Sequence, residues 1–170
     1  KGADANARDK NGRTPLHSAA EAGAAGMVEA LLTHGGDTNA RDNHGRTPLQ
    51  EAAAANRKEA VEALLAKGAD VNSKDRESVT ALHDAAGAAA TDIVKVLLAG
   101  GADPNAASKS ADTPLHWAAQ AGDVRVVELL LAAGAKPSAK DNAGKTPADY
   151  ATEYGYGKIA QLLKAAAPAE

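Results

Sequence analysis

One four-residue phrase returns every 33 residues along this chain and constrains its architecture more than any other feature. The copies are Thr-Pro-Leu-His at 14–17, Thr-Pro-Leu-Gln at 47–50, Thr-Ala-Leu-His at 80–83, Thr-Pro-Leu-His at 113–116 and Thr-Pro-Ala-Asp at 146–149. A unit of this size cannot bury a core alone, so the copies must stack on one another. Such a stack has a long exposed surface and no obvious closed pocket, which favours binding over catalysis.

Within one unit, the residue types predict two short antiparallel helices and a long turn. In residues 42–74, Thr47 can cap the first helix and Pro48 suits its first position. Asn56 is a plausible left-handed stop for that helix, and Gly68 ends the second one. Each predicted helix has one apolar face, so stacking on neighbouring units is obligatory.

This unit resembles the ankyrin repeat. The matching features are the Asp-x-x-Gly turn, the Thr-Pro-Leu-His phrase, an Ala-Ala pair, a Val-x-x-Leu-Leu stripe and a Gly-Ala-Asp-x-Asn exit, and they cover residues 2 to about 164. The resemblance implies an all-α solenoid of stacked helix-turn-helix units with projecting turn fingers. It also implies protein–protein binding through the fingers and the adjoining first helices.

The period divides the chain into units of one continuous solenoid domain. We expect the exit of a truncated leading repeat at 1–8, repeats at 9–41, 42–74, 75–107 and 108–140, a C-terminal capping repeat at 141–164 and a tail at 165–170. The first segment suggests that a parent or ancestral protein continued upstream, or that an array was trimmed here. The first helix should then be exposed and prone to fraying. The tail should be disordered beyond Pro168.

The composition excludes several classes of function. The 19 basic and 22 acidic residues nearly balance, and there is no cysteine for disulfides, zinc binding or thiol catalysis. No apolar run approaches the ~20 residues of a membrane span, and no signal peptide is visible. We expect a soluble monomer, in the cytoplasm rather than the periplasm, and the alanine-rich composition favours a bacterial source.

The residues that look chemical lie on the period and are predicted to be structural. His17, His83 and His116 share one phase, so they form a ladder across layers about 10 Å apart, too far for one metal whose nitrogen ligands lie about 2 Å away. The resemblance implies that they bond backbone groups of adjacent turns, as Gln50 could. The periodic turn aspartates should cap backbone amides; they are Asp9, Asp42, Asp75 and Asp141. We therefore predict no enzyme, metal, cofactor or small-molecule substrate.

The charges between these periodic positions suggest a basic finger edge above an acidic floor. The basic residues are Arg8, Lys10, Arg13, Arg41, Arg46, Lys74, Arg76, Lys109, Lys140 and Lys145, and the floor carries Glu21, Glu51, Asp84 and Glu153. This arrangement predicts a protein partner with an acidic edge. The alternative is ordinary solubility charge. The net charge and the few aromatics argue against nucleic acid.

Trp117 is the best single candidate for a partner contact. Its equivalents in the other repeats are Ser18, Glu51, Asp84 and Tyr150, and a position that accepts such residues should lie on the concave floor. An exposed tryptophan there is a typical hot spot. The alternative is a ring lying flat over its own repeat.

Two turns depart from the pattern, with Ser78 and Ala111 where others carry glycine. A left-handed backbone there would cost roughly 1 kcal/mol each. Either the repeats have drifted and the turns have adjusted, or the fingers are reshaped for a partner.

The hypothesis that follows is a non-catalytic module that binds a protein partner. The predicted contact residues are Arg13, Glu21, Arg46, Glu51, Arg76, Asp84, Lys109, Asp112, Trp117, Gln120 and Tyr150. The alternatives are a regulatory or targeting segment of a larger, possibly enzymatic, polypeptide and an engineered scaffold. Drift at positions such as Gln50 and Ala81 argues against the scaffold.

Overall fold

The computed structural model describes residues 4–167, which form ten helices and no strand. The helices are α1 (Pro15–Ala22), α2 (Ala25–Thr33), α3 (Pro48–Ala54), α4 (Lys58–Ala66), α5 (Ala81–Gly87), α6 (Thr91–Ala99), α7 (Pro114–Ala121), α8 (Val124–Ala132), α9 (Pro147–Glu153) and α10 (Gly157–Ala166). They form five antiparallel pairs, one pair for each copy of the phrase. The predicted all-α solenoid of helix-turn-helix units is therefore confirmed.

Helices stack in two layers, one made of the first helices of the repeats and one made of the second helices. The core between the layers is aliphatic, because the chain has no phenylalanine and few other aromatics. Its largest fully buried side chains include Leu16, Leu49, Leu64, Leu82, Ile93, Leu97, Leu115 and Leu130. Small alanines on the first helices, such as Ala52 and Ala85, are fully buried and let neighbouring helices approach closely.

The phrase itself starts each first helix and joins it to the next repeat. The Thr14 backbone N–H donates to Nδ1 of His17 at 3.1 Å, which closes a capping box with histidine in the place usually taken by glutamate. Nε2 of the same ring lies 3.0 Å from the Arg46 carbonyl oxygen in the following turn. His83 and His116 repeat both bonds with their own neighbours.

Gln50 performs both tasks, capping its helix and bonding to the next repeat, with its side-chain amide. Its Oε1 accepts from the Thr47 N–H at 3.0 Å, and its Nε2 donates to the Val79 carbonyl at 2.8 Å. Asp149, in the last repeat, performs only the first task, because a carboxylate accepts hydrogen bonds but has none to donate. The predicted structural role of the histidines and of Gln50 is confirmed.

The hydrogen bonds of His83 fix its protonation state. A backbone N–H can only donate, so Nδ1 must carry a lone pair, and Nε2–H donates to the Asp112 carbonyl. Burial lowers the pKa of His83 to about 4, and it lowers the pKa values of His17 and His116 as well. Because the unfolded chain binds this proton more readily, acid must favour unfolding.

We expect the substitution His83→Gln to remove part of the acid sensitivity of folding. The free energy of unfolding of the unmodified chain should fall, relative to that of H83Q, as pH drops from about 6.5 towards 4, by at most about 1.4 kcal/mol per pH unit. Urea titrations of both proteins across this pH range measure the difference between their free energies of unfolding. The other titratable groups contribute equally to both proteins, so their contribution cancels. If this difference does not change with pH, the conclusion that His83 is neutral in the folded state is contradicted.

The turns are stacked finger on finger through backbone hydrogen bonds. The Asn43 N–H donates to the Asn11 carbonyl, and equivalent bonds join each later turn to the one before it. Within a turn, Oδ1 of Asp42 accepts from the N–H groups of His44 and Arg46, and the other turn aspartates do the same. The predicted caps are confirmed.

The irregular turns keep the shape of the regular ones. Ser78 has φ 61° and Ala111 has φ 63°, in the left-handed region that Gly12 and Gly45 occupy in the regular turns. Their backbone hydrogen bonds to the preceding residues and fingers are retained. The sequence therefore tolerates a strained side chain here, and the finger is neither relaxed nor reshaped.

We expect Ser78→Gly and Ala111→Gly each to stabilise the fold by up to about 1 kcal/mol, because glycine removes the steric cost of a left-handed backbone. Equilibrium denaturation measures the gain. Ser110→Gly, in the same finger but without a positive φ, is the matched control and should give no gain. If glycine changes the free energy of unfolding equally at Ser110 and Ala111, the backbone at Ala111 is not strained.

A second set of bonds joins the repeats through the segment that follows the second helix of each unit. The Asn6 side chain donates to the Gly35 carbonyl at 2.9 Å and accepts from the Asp37 N–H at 2.7 Å. Asn39, Asn72 and Asn105 repeat this pair of bonds. Residues 4–8 thus pack as the exit of a repeat does, while residues 1–3 lie outside the described range.

The two ends of the solenoid differ from its middle. Pro15 is exposed while Pro48, Pro114 and Pro147 are buried, so the expected exposure of the first helix is confirmed and its fraying stays a prediction. At the other end α10 continues to Ala166, so the first residues of the expected tail are helical. The predicted disorder beyond Pro168 lies outside the described residues. No helix in the described range is long and apolar enough to cross a membrane.

Candidate protein-binding face

Three side chains of each repeat line up along the finger side of the first-helix layer. We call them the binding row. The turn positions are Arg13, Arg46, Val79, Asp112 and Lys145; the first-helix positions are Ser18, Glu51, Asp84, Trp117 and Tyr150, and, one turn later, Glu21, Ala54, Gly87, Gln120 and Glu153. The 33-residue period places equivalent members side by side. The row contains nine of the eleven predicted contact residues, and Arg76 and Lys109 lie nearby on the fingers.

Ion pairs connect the N-terminal half of the row across repeat boundaries. Arg13 lies 2.6 Å from Glu21 in its own repeat and 3.5 Å from Glu51 in the next. Arg46 then lies 2.7 Å from Glu51 and 3.1 Å from Asp84 of the following repeat. At Arg13 and Arg46 the basic edge and the acidic floor therefore contact each other, and their charges neutralise one another.

Burial makes the Arg46–Asp84 pair the most constrained part of this network. The side chain of Asp84 is 9% exposed and that of Arg46 is 21% exposed. Burial raises the pKa of Asp84 to about 6, although Arg46 opposes the shift. Burial also disfavours the charged guanidinium, but Asp84 and Glu51 outweigh this effect and raise the pKa of Arg46.

We expect Arg46→Met to lower the free energy of unfolding by about 2 kcal/mol, less than the roughly 3–5 kcal/mol of a fully buried pair. The loss arises because the buried Asp84 carboxyl loses its counter-ion and must either keep an uncompensated charge or take up a proton. Adding Asp84→Asn should recover part of it, and urea titrations of the single and double variants measure this. If the double variant loses more free energy of unfolding than the two single variants lose together, the pairing is contradicted.

Two further arginines of the predicted basic edge are structural. Nη1 of Arg8 donates to the Arg41 carbonyl at 2.6 Å, and Nη1 of Arg41 donates to the Lys74 carbonyl at 2.9 Å. These bonds join successive fingers. The exposed cations that remain on the fingers are Lys10, Lys74, Arg76, Lys109 and Lys140.

The C-terminal half of the row is aromatic instead of ionic. The Trp117 ring is half-buried and packs against the His83 ring in a T-shaped contact. The two ring centroids are 5.5 Å apart and the ring planes meet at 72°. A Cβ on Gly87 would lie 3.0 Å from Cε3 of Trp117. The ring therefore packs across the boundary onto the preceding repeat. Neither a freely exposed ring nor one lying over its own repeat describes this position.

Tyr150 is held in the same way one repeat later. Its ring centroid lies 5.9 Å from that of His116, and its hydroxyl donates to Asp141 at 2.6 Å. This hydrogen bond raises the pKa of Tyr150 to about 12 and lowers the pKa of Asp141. Nζ of Lys145 stands 5.3 Å from the Tyr150 ring centroid and 2.7 Å from Glu153.

Between these aromatic residues the row holds polar groups without an ion pair. Asp112 and Gln120 are half-buried, and Asp112 has no counter-ion within residues 4–167. Burial raises the pKa of Asp112, and a side-chain hydrogen bond with Ser108 partly opposes the shift. The same range holds no group of three or more potential metal ligands.

The family model of ankyrin repeats matches residues 1–75 and 82–169, in three copies. The chain belongs to the ankyrin repeat family. Ankyrin repeats are generally protein–protein interaction modules. A search of curated proteins finds no match to the chain.

Sequence reasoning missed three partners that shape the face of this ankyrin-repeat protein. Asp75 lies 3.6 Å from Arg46, Asp141 holds the Tyr150 hydroxyl, and Gly87 leaves room for Trp117. Only Gly87 left a signal, since its equivalents are glutamate, glutamine or alanine. A glycine within a helix, one repeat before a tryptophan, indicates that the ring needs its space.

Proposed function

We propose that the chain is a non-catalytic module that binds a protein partner through the concave side formed by its fingers and first helices. The observation that carries the proposal is the change of character along the binding row. In its N-terminal half the charged groups satisfy one another. In its C-terminal half, Asp112 has no counter-ion, and the half-buried Trp117 and Gln120 keep surface exposed to solvent.

The C-terminal half of the row is therefore the proposed centre of the interface. Binding energy is usually concentrated in a few half-buried aromatic or arginine side chains surrounded by polar groups. Trp117 is already held in place by His83, so it loses little conformational freedom on binding. Arg13, Glu21, Arg46, Glu51 and Asp84, by contrast, would have to exchange internal ion pairs for external ones.

The exposed finger cations support a finer proposal, in which an acidic segment of the partner runs along the fingertips. Arg76 is exposed and has no ion-pair partner in the described part of the chain. Nζ of Lys109 lies 3.6 Å from a carboxylate oxygen of the exposed Glu77. Exposed charges of this kind mainly raise the rate of association. Association should then slow with added salt, since screening weakens the attraction.

We expect Trp117→Ala to weaken partner binding at least about tenfold, which corresponds to losing an interface hot spot. The immobilised chain would capture partners from a lysate of its source cells, and interferometry with each captured protein would measure affinity. Glu62→Lys, on the exposed face of α4, is the control and should bind normally. If W117A binds normally and E62K does not, the proposed face is wrong.

A further inference from the structure

The turn position of the binding row changes sign in the fourth repeat. Arg13, Arg46 and Lys145 are cations there, and each is paired with an acidic residue on a first helix. The fourth repeat has Asp112 at this position. An anion therefore occupies the turn position at which three other repeats have a cation.

Asp112 stands beside the aromatic residues of the row, because its carbonyl accepts from His83 Nε2 at 3.1 Å and the His83 ring packs against Trp117. Arg46 contacts the first-helix residue five positions later and its equivalent 38 positions later. The same steps from Asp112 lead to Trp117 and Tyr150. The main cause of the raised pKa of Tyr150 is its bond to Asp141, and the charge of Asp112 adds to it, which is consistent with this placement.

No cation of the described chain neutralises this carboxylate. Lys109, on the same finger, stands 3.6 Å from Glu77, and Lys145 of the next finger is held by Glu153. Partial burial raises the pKa of Asp112, because removing a charge from water without a counter-ion is unfavourable. A cation supplied from outside would remove that cost.

The fifth repeat shows how the row combines a ring with a cation. There Lys145 lies over the Tyr150 ring, 5.3 Å from its centroid, with Glu153 as its counter-ion. In the fourth repeat Trp117 takes the place of the ring, Gln120 that of the acid and Asp112 that of the cation, so the ring has an anion beside it and no cation of its own. Tryptophan binds cations over its face more strongly than tyrosine does.

We propose that Asp112 and Trp117 together receive a lysine or arginine side chain of the protein partner. This inference rests on the proposed function, because it names one anchor within the proposed face. The partner then presents a basic residue to the row beside the acidic segment that the fingertips favour. The fourth repeat would set the register in which the two surfaces meet.

Random short peptides selected on the immobilised full chain provide the probe. Trp117 is the only tryptophan, so its fluorescence reports binding at this place directly. We expect peptides that change this fluorescence to share a lysine or arginine, and replacing that residue with glutamine to weaken binding about tenfold or more. Asp112→Asn should cause a similar loss.

Charge exchange gives the sharpest form of the test. Asp112→Lys introduces the residue type found at Lys145, and it should abolish binding of the basic peptide and allow binding of its glutamate variant. Glu128→Lys makes the same charge change on the exposed face of α8 in the same repeat and should have no effect. Thermal melts of each variant check that the fold is intact.

The outcomes separate the two proposals. If selected peptides change the Trp117 fluorescence but bind D112N and D112K as well as the unmodified chain, the basic anchor is wrong and the binding face stands. If selected peptides bind without affecting Trp117 and are insensitive to W117A, the binding face itself is wrong.

Discussion

The whole structure depends on one hydrogen bond that crosses each repeat boundary. In the first four repeats the third residue of the first helix is buried, accepts the helix-capping N–H and reaches a carbonyl 29 residues ahead, as His17 does to Arg46. A single residue thereby fixes where a helix begins and where the next finger stands. Because both bonds are buried, failing to make either leaves a polar group unsatisfied, which is costly. The regular spacing of the surface side chains follows from this constraint.

That spacing explains why the binding row behaves as a series of coupled positions. Stacking at a fixed period puts equivalent side chains beside one another, so Glu51 serves Arg13 and Arg46 at once. Where consecutive repeats carry complementary charges, the row neutralises itself. Where the pattern breaks, Val79 is buried, whereas Asp112 and Trp117 are half-buried and form no ion pair with a neighbouring repeat. Asp112 and Trp117 are therefore the positions at which we propose that a partner binds.

The sequence predicted the fold well because the period, the caps and the helix stops are local signals. The role of Asp42 follows from turn chemistry, and the roles of His83 and Gln50 follow from the resemblance to ankyrin repeats. The left-handed backbone at Ser78 is the one that the equivalent glycines adopt. The site was predicted less well. The sequence places Arg13 and Arg46 on a basic edge, but a list of finger positions does not say which acids they reach. The orientation of Trp117 depends on Gly87, a residue of another repeat.

By itself, the sequence determined that this chain is a stack of helix pairs with its histidines and turn aspartates in structural roles. These properties are set by contacts within one unit and its copies, which periodicity makes visible. Only the tertiary structure decided which charges cancel and which groups stay unsatisfied. Ion pairing and ring packing depend on distances between side chains of different repeats, such as the 3.1 Å between Arg46 and Asp84. Stacking brings those groups together, and residue spacing alone does not give their orientation.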